Sequence, residues 1–324
     1  MGKYIIVVVL INLLISCIPA KAIFLGSPDS KDLKRFPNHT IEASLDCFEF
    51  ERGDRQDFSV QVNDWSKDIP YFLTLNELVI SHPVRSFLII QNDSIKYEFY
   101  REDLDKLDLH PSYSMAKSFT SALLGIAIDE GLIQSIDDSV LTYLPELKDI
   151  ERSDELKIRH LLNHTSGFEP SLILDINIYY GRNISKQLKH IKITTTPGTK
   201  QEYINMNTQL IGVILNRVTG SSVANYMEEK IWKPIQSCAD GIWSTDKKNA
   251  LEKTFCCIGA TTLDYAKFGR LFLNEGAWNG KQIISKSWYN DCIKRDTTEG
   301  SSWNYNNSWH IGLREYGDFM AIGL

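Results

Sequence analysis

The chain has 324 residues, 43% of them hydrophobic and 23% charged, which is enough apolar surface for one large domain or two modest ones. With 35 basic against 41 acidic residues the formal charge is −6, and no basic block of five or more occurs, so the electrostatic footprint of a nucleic-acid binder is missing. The first 22 residues place Lys3 before an apolar run from Tyr4 to Ser16 and then Ala20-Lys21-Ala22, a small-x-small pattern. That predicts an export signal over residues 1–22, because the run falls short of the roughly 20 apolar residues a membrane span needs. Residues 23–70 carry scattered Gly, Pro, Asn and Asp and read as an irregular lead-in.

From Val84 to Tyr100 two β-rich runs flank Asn92-Asp93, which predicts a hairpin. A helix is predicted from Ser114 to Glu130 with Gly131 as its C-cap, another from Thr208 to Val218 ending at Thr219-Gly220, and a third over Leu263–Leu273 ending near Gly276. Trp309 to Leu324 returns to short apolar stretches around Tyr316-Gly317-Asp318, a second hairpin. Strands, a long helical insert and strands again imply an α+β fold in which the two hairpins share one antiparallel sheet. The helical part then lies to one side, with a cleft at the junction.

Two alternatives stay open at the N-terminus. Leu14-Ile15-Ser16-Cys17 is similar to a lipoprotein box, with a signal over residues 1–16 and Cys17 as a lipid-bearing membrane tether. Either leader implies an exported, periplasmic or extracellular protein. Downstream of it stand Cys47, Cys238, Cys256, Cys257 and Cys292. An odd count predicts at least one free thiol, disulfides are permitted without being specified, and the consecutive Cys256 and Cys257 are expected to face opposite ways.

The chemistry concentrates at Ser114-x-x-Lys117. Spacing alone is weak, since Ser244-x-x-Lys247 repeats it in a polar stretch without helical periodicity. Ser114 differs because it opens a helix, where its amide lies among unpaired donors at the positive end of the dipole and Lys117 falls on the same face. The lysine serves as a base only if burial or neighbouring charge lowers its pKa, and the apolar run Ala122–Ala127 predicts that burial.

The landmarks that follow resemble those of the serine β-lactamase and penicillin-binding superfamily, in which Ser-x-x-Lys opens a central helix. Ile136-Asp137-Asp138-Ser139-Val140 with Tyr143-Leu144-Pro145-Glu146-Leu147, then Ile158 to Gly167 (IRHLLNHTSG), then Tyr203-Ile204-Asn205 fall in the superfamily's order. The Ser114–Leu123 stretch and Phe255-Cys256-Cys257 before Leu263–Leu271 most resemble the 6-aminohexanoate-dimer hydrolase branch.

The resemblance implies a β-lactamase-like α+β domain over residues 71–324, with Ser114 as acyl-accepting nucleophile, Lys117 as base, Tyr203 as a phenol relaying the proton to the leaving group, and Asn205 as an organising amide. A phenol beside a cationic lysine is expected to ionise more easily. His160 and His164 are expected to pack or cap, Tyr179 and Tyr180 to line a pocket in the insert, and Tyr305-Asn306-Asn307 to be a loop repeat of the tyrosine motif. Relatives carry a third element of the Lys-Thr-Gly or His-x-Gly kind. Of His310-Ile311-Gly312 and Ala321-Ile322-Gly323 the second is preferred, which makes Ala321, Gly323 and Leu324 site residues. Set against the family pattern, two strands and a closing helix are expected to be missing after Leu324, so that the chain reads as C-terminally truncated.

The implied function is an exported serine hydrolase acting on a small-molecule amide or ester, 6-aminohexanoate-dimer-like. An uncharged third element argues against β-lactams as the main substrate. The alternatives are a β-lactamase or D-Ala carboxypeptidase or esterase of the same fold, and an inactive truncated product that only binds. No metal or organic cofactor is implied, because the histidines lack ligand spacing and no phosphate-cradling glycine loop occurs.

Overall fold

The structure, a computed structural model, describes residues 18–62, 71–312 and 317–323. Most of the expected leader, including Cys17, and also Leu324 lie outside the described residues. Among the described residues no helix is long and apolar enough to cross a membrane.

The helix Ala116–Asp129 is the axis of the core. Every residue from Ala116 to Ala127 is buried, so this is a helix enclosed on all sides and its polar side chains need internal partners. They have them. Ser118 Oγ donates to the Ser308 carbonyl at 2.8 Å, and Thr120 Oγ1 contacts the Ala116 and Thr254 carbonyls at 3.0 Å each. Against this helix packs Asn205–Thr219, whose left-handed Gly220 at φ 66° ends it as the sequence predicts. Thr262–Leu273 closes another side, with the Phe119 and Phe268 rings stacked at 3.7 Å.

Threaded between these elements runs a buried strap, Glu252–Cys257. The Glu252 carbonyl accepts from Gln209, Thr254 Oγ1 donates to the Thr208 carbonyl, and the Lys253 and Cys256 carbonyls share Trp243 Nε1. The strap leads into the four-stranded antiparallel sheet Asn38–Ile41, Gly241–Ser244, Ile258–Ala260, His110–Pro111, in that order. The lead-in is therefore not wholly irregular: Asn38–Ile41 forms the sheet edge, in register with Gly241–Ser244, and buries Ile41.

The predicted hairpin is present as Ser86–Gln91 against Ser94–Tyr100, with Asn92 and Asp93 both left-handed at φ 52° and 57°, the conformation a two-residue turn of this hand requires. The second is present as Trp309–Ile311 against Phe319–Met320. The two do not share a sheet among the described residues. Ser94–Tyr100 is extended by a parallel Glu51–Arg52, and Trp309–Ile311 by Tyr305–Asn306, so each hairpin gains its third strand from chain nearby in space rather than from the other hairpin.

Cys256 and Cys257 do not face apart. They are bonded to each other, Cys47 is bonded to Cys238, and Cys292 is a free buried thiol.

Candidate active site

Ser114 sits in the tight turn Tyr113–Met115 that leads directly into the central helix. Tyr113, immediately before it, is held at φ 44°, a left-handed conformation that a residue with a β-carbon adopts at a cost. The turn is pinned from both sides: the Ser112 amide donates to the Ile258 carbonyl at 2.8 Å and the Ile258 amide to Ser112 Oγ at 3.0 Å. One turn on, Lys117 is 1% exposed. Its Nζ lies 3.0 Å from Ser114 Oγ, 3.0 Å from Asn205 Oδ1 and 2.8 Å from the Phe255 carbonyl oxygen. All three neighbours are neutral. Burial therefore dominates and lowers the lysine from its usual value to about 7, with the Asp175 charge pulling it back up.

Asn205 holds this arrangement by its position at the start of Asn205–Thr219. Its carbonyl faces Lys117 and its amide nitrogen donates to Asp175 Oδ1 at 3.2 Å. Asp175 lies in the helix Leu172–Tyr180, and burial raises its carboxyl while Asn205 and Lys117 lower it. No pattern in the residues marks Asp175, since the run Leu172-Ile173-Leu174-Asp175-Ile176 has no catalytic spacing.

Tyr203 completes the group. Its ring centroid is 4.8 Å from Lys117 Nζ, within reach of a cation–π contact, and its ring is half exposed. Burial of the phenol raises it, against the hydrogen bond with Ser114, so the expected easing of its ionisation by Lys117 is not met. Desolvation outweighs that hydrogen bond. The Tyr203 ring stacks on His164 at 4.4 Å and meets Tyr305 edge-on at 6.1 Å. His164, fully buried and held neutral by that burial, accepts the Ile204 amide on Nδ1 at 3.0 Å. His160 accepts the Lys157 amide at the start of Ile158–Leu162, a cap, and burial takes it down to about 4.

Tyr305 is a buried strand residue beside the site rather than a loop tyrosine, because Tyr305–Asn306 pairs with the Trp309–Ile311 strand. Ser244 closes a strand and Lys247 is exposed, so the second Ser-x-x-Lys forms no pair.

Tyr180 and Tyr179 are not brought to Ser114. The Tyr180 hydroxyl donates to the Gly26 carbonyl and that of Tyr179 to Asp32 at 2.8 Å, so their helix turns this end toward the lead-in. Ala321-Ile322-Gly323 does come to the serine. Phe319–Met320 is paired with His310 and Ile311, and the chain then passes so close to the turn that a β-carbon on Gly323 would stand 2.1 Å from the Ser112 carbonyl oxygen and 2.9 Å from the Ser114 nitrogen. Only glycine fits there. Among the described residues no group of His, Cys, Asp and Glu is arranged to hold a metal.

The family profile described as Beta-lactamase matches residues 100–318, well over half of the chain. Among curated proteins, a 6-aminohexanoate-dimer hydrolase of Paenarthrobacter ureafaciens is 21% identical over 271 residues, covering 74% of this chain and 67% of the relative. The protein flp of Staphylococcus aureus strain MW2 is 29% identical over 170 residues, covering 48% of this chain and 34% of that one. The chain thus spans about two thirds or less of the length of these relatives. Of solved structures, a candidate 6-aminohexanoate-dimer hydrolase from Bacillus anthracis superposes with a TM-score of 0.80 at 26% identity, over 91% of this chain and 82% of that one. A D-stereospecific amidohydrolase from Streptomyces shares the fold at a TM-score of 0.54 and 19% identity, over 69% of this chain and 76% of that one.

Proposed function

Since the chain belongs to the beta-lactamase family, we propose that it is a serine hydrolase that cleaves an amide or ester through an acyl-enzyme on Ser114. The observation that carries this reading is a lysine amine 3.0 Å from the serine oxygen, buried and without a carboxylate in hydrogen-bonding reach. Near neutral pH a large fraction of Lys117 is unprotonated and takes the Ser114 proton as Oγ attacks the carbonyl carbon. The Ser114 amide, at the mouth of the helix and backed by Gly323, faces the developing oxyanion. Tyr203 remains a phenol, which suits it to pass the proton from Lys117 to the leaving nitrogen or oxygen rather than to act as a phenolate. Water then releases the acyl group, with the same residues run in reverse.

The substrate proposed is a short linear amide of the 6-aminohexanoate-dimer kind, in keeping with the named relatives. The alanine at 321 supports it, because that position carries no charged side chain to hold a β-lactam carboxylate. Export is proposed with it: the Cys47–Cys238 bond suits an oxidising compartment. The test is a fluorophosphonate probe followed by peptide mass spectrometry, with an adduct on the Ser114 peptide as the expected result and its absence from folded protein as the refutation. Turnover of 6-aminohexanoate dimer compared with nitrocefin then orders the substrates.

A further inference from the structure

We propose that the bond between Cys256 and Cys257 positions Lys117, and that its reduction by a dithiol slows acylation of Ser114. The proposal rests on the reading of Lys117 as the proton acceptor. The two cysteines form a closed ring in the chain between two anchors of the site. Before the ring, the Phe255 carbonyl is the shortest of the three hydrogen bonds to Lys117, at 2.8 Å. After it, Ile258 exchanges hydrogen bonds with Ser112 in both directions and so fixes the turn that carries Ser114.

The ring itself is held in place. The Cys256 carbonyl accepts from Trp243 Nε1 and the Cys257 carbonyl from the Ser244 amide, each at 3.0 Å. Cys257 stands at φ 77°, a left-handed conformation unfavourable for a residue with a β-carbon. The cross-link restricts the chain to that conformation. Without it, Cys257 is free to return to the ordinary region, and the Phe255 carbonyl and Ile258 cannot both keep their partners.

Reduction breaks the S–S bond and forms two S–H bonds. The two electrons and two protons come from the dithiol, which leaves as its own disulfide. Lys117 then loses one acceptor. The groups that still face it are Ser114 from its own turn, Asn205 and Tyr203 at the start of the second core helix, Asp175 and His164 from the insert, and His310 from the C-terminal sheet. Fewer acceptors favour the neutral amine, so the acid limb of the acylation profile moves to lower pH while the rate falls. A merely loosened fold lowers the rate without moving the limb.

The experiment uses the full chain carrying Cys47→Ser, which removes the other disulfide. Iodoacetamide under denaturing conditions without reductant is expected to leave Cys256 and Cys257 unmodified, and double alkylation of that peptide overturns the proposal. Dithiothreitol is expected to slow fluorophosphonate labelling of Ser114 about tenfold, the order that loss of one positioning hydrogen bond predicts. Reoxidation with glutathione disulfide is expected to restore it. Should Cys47→Ser not fold, the wild type is compared with Cys256→Ser/Cys257→Ser, whose labelling is expected to be slow and indifferent to dithiothreitol. Absence of labelling in the oxidised protein overturns the hydrolase reading itself. An oxidised protein that labels at Ser114 and keeps its rate once both thiols are free overturns only the role of the bond.

Discussion

Lys117 and Lys267 are each 1% exposed, and they have opposite fates. Lys117 meets a hydroxyl, a side-chain amide and a main-chain carbonyl. Lys267, one turn into Thr262–Leu273, meets Asp264 at 2.9 Å, the Gln236 carbonyl and Cys238. Asp264 is satisfied in turn by the amides of Cys238 and Ala239 and the Thr261 hydroxyl. Burial lowers both lysines, but in Lys267 the carboxylate counters it by direct contact, and in Lys117 the opposing charge of Asp175 sits beyond Asn205. Burial makes a lysine reactive only where the partners are neutral, and a carboxylate in contact turns the same side chain into a strut.

The largest expected break in this contrast is Lys117→Met, which should slow acylation about 10²- to 10⁴-fold, as loss of a positioned general base does. Lys267→Met should leave the rate per folded molecule within a few-fold. Burst titration against soluble, folded protein separates the two, and equal losses would erase the distinction. Next comes Asp264→Ala, which strands a buried charge and should cost about 3–5 kcal/mol in urea unfolding with the acylation rate unchanged.

A smaller effect concerns pH and stability. Below pH 7 Lys117 is protonated in both folded and unfolded chains, and the cost of burying the charge is fully present. Between pH 7 and the unfolded value near 10.4 only the unfolded chain holds the proton, so stability rises with pH and then levels off. The wild type should therefore gain on Lys117→Met between pH 6 and pH 9, and parallel curves would contradict a depressed lysine. The smallest effect expected is from Asp175→Asn. Removing the charge that raises Lys117 should shift the acid limb of kcat/KM, which lies near pH 7, to lower pH, and a limb that moves the other way would reassign the base.

Much of this was readable in the residues. Ser114, Lys117, Tyr203 and Asn205 are brought together, and Asn92-Asp93, Gly131, Gly220 and Gly276 all take the left-handed conformations that ended their elements on paper. Local chemistry determines turns and caps, so one sequence suffices for them. What was not legible depends on contacts far apart in the chain. Asp175 reaches Asn205 across 30 positions, and the Phe255 carbonyl reaches Lys117 across 138 through a main-chain atom that no side-chain pattern marks. The place of Tyr180 is hidden for a related reason: its helix serves the site at Asp175 and the lead-in five residues later. The sharing of one sheet by the two hairpins failed because pairing partners came from segments too short to read as strands, Glu51–Arg52 and Tyr305–Asn306.

The enclosure of Ala116–Ala127 on every side also sets when the site can be lost. Amide protons along such a helix exchange with solvent only when the whole structure opens, whereas hairpin edges and chain termini open locally. The Lys117 amine belongs to that slowest-exchanging unit, so partial fraying at the periphery leaves it in place. Deuterium uptake at Lys117 and the decay of activity on heating should then report a single event.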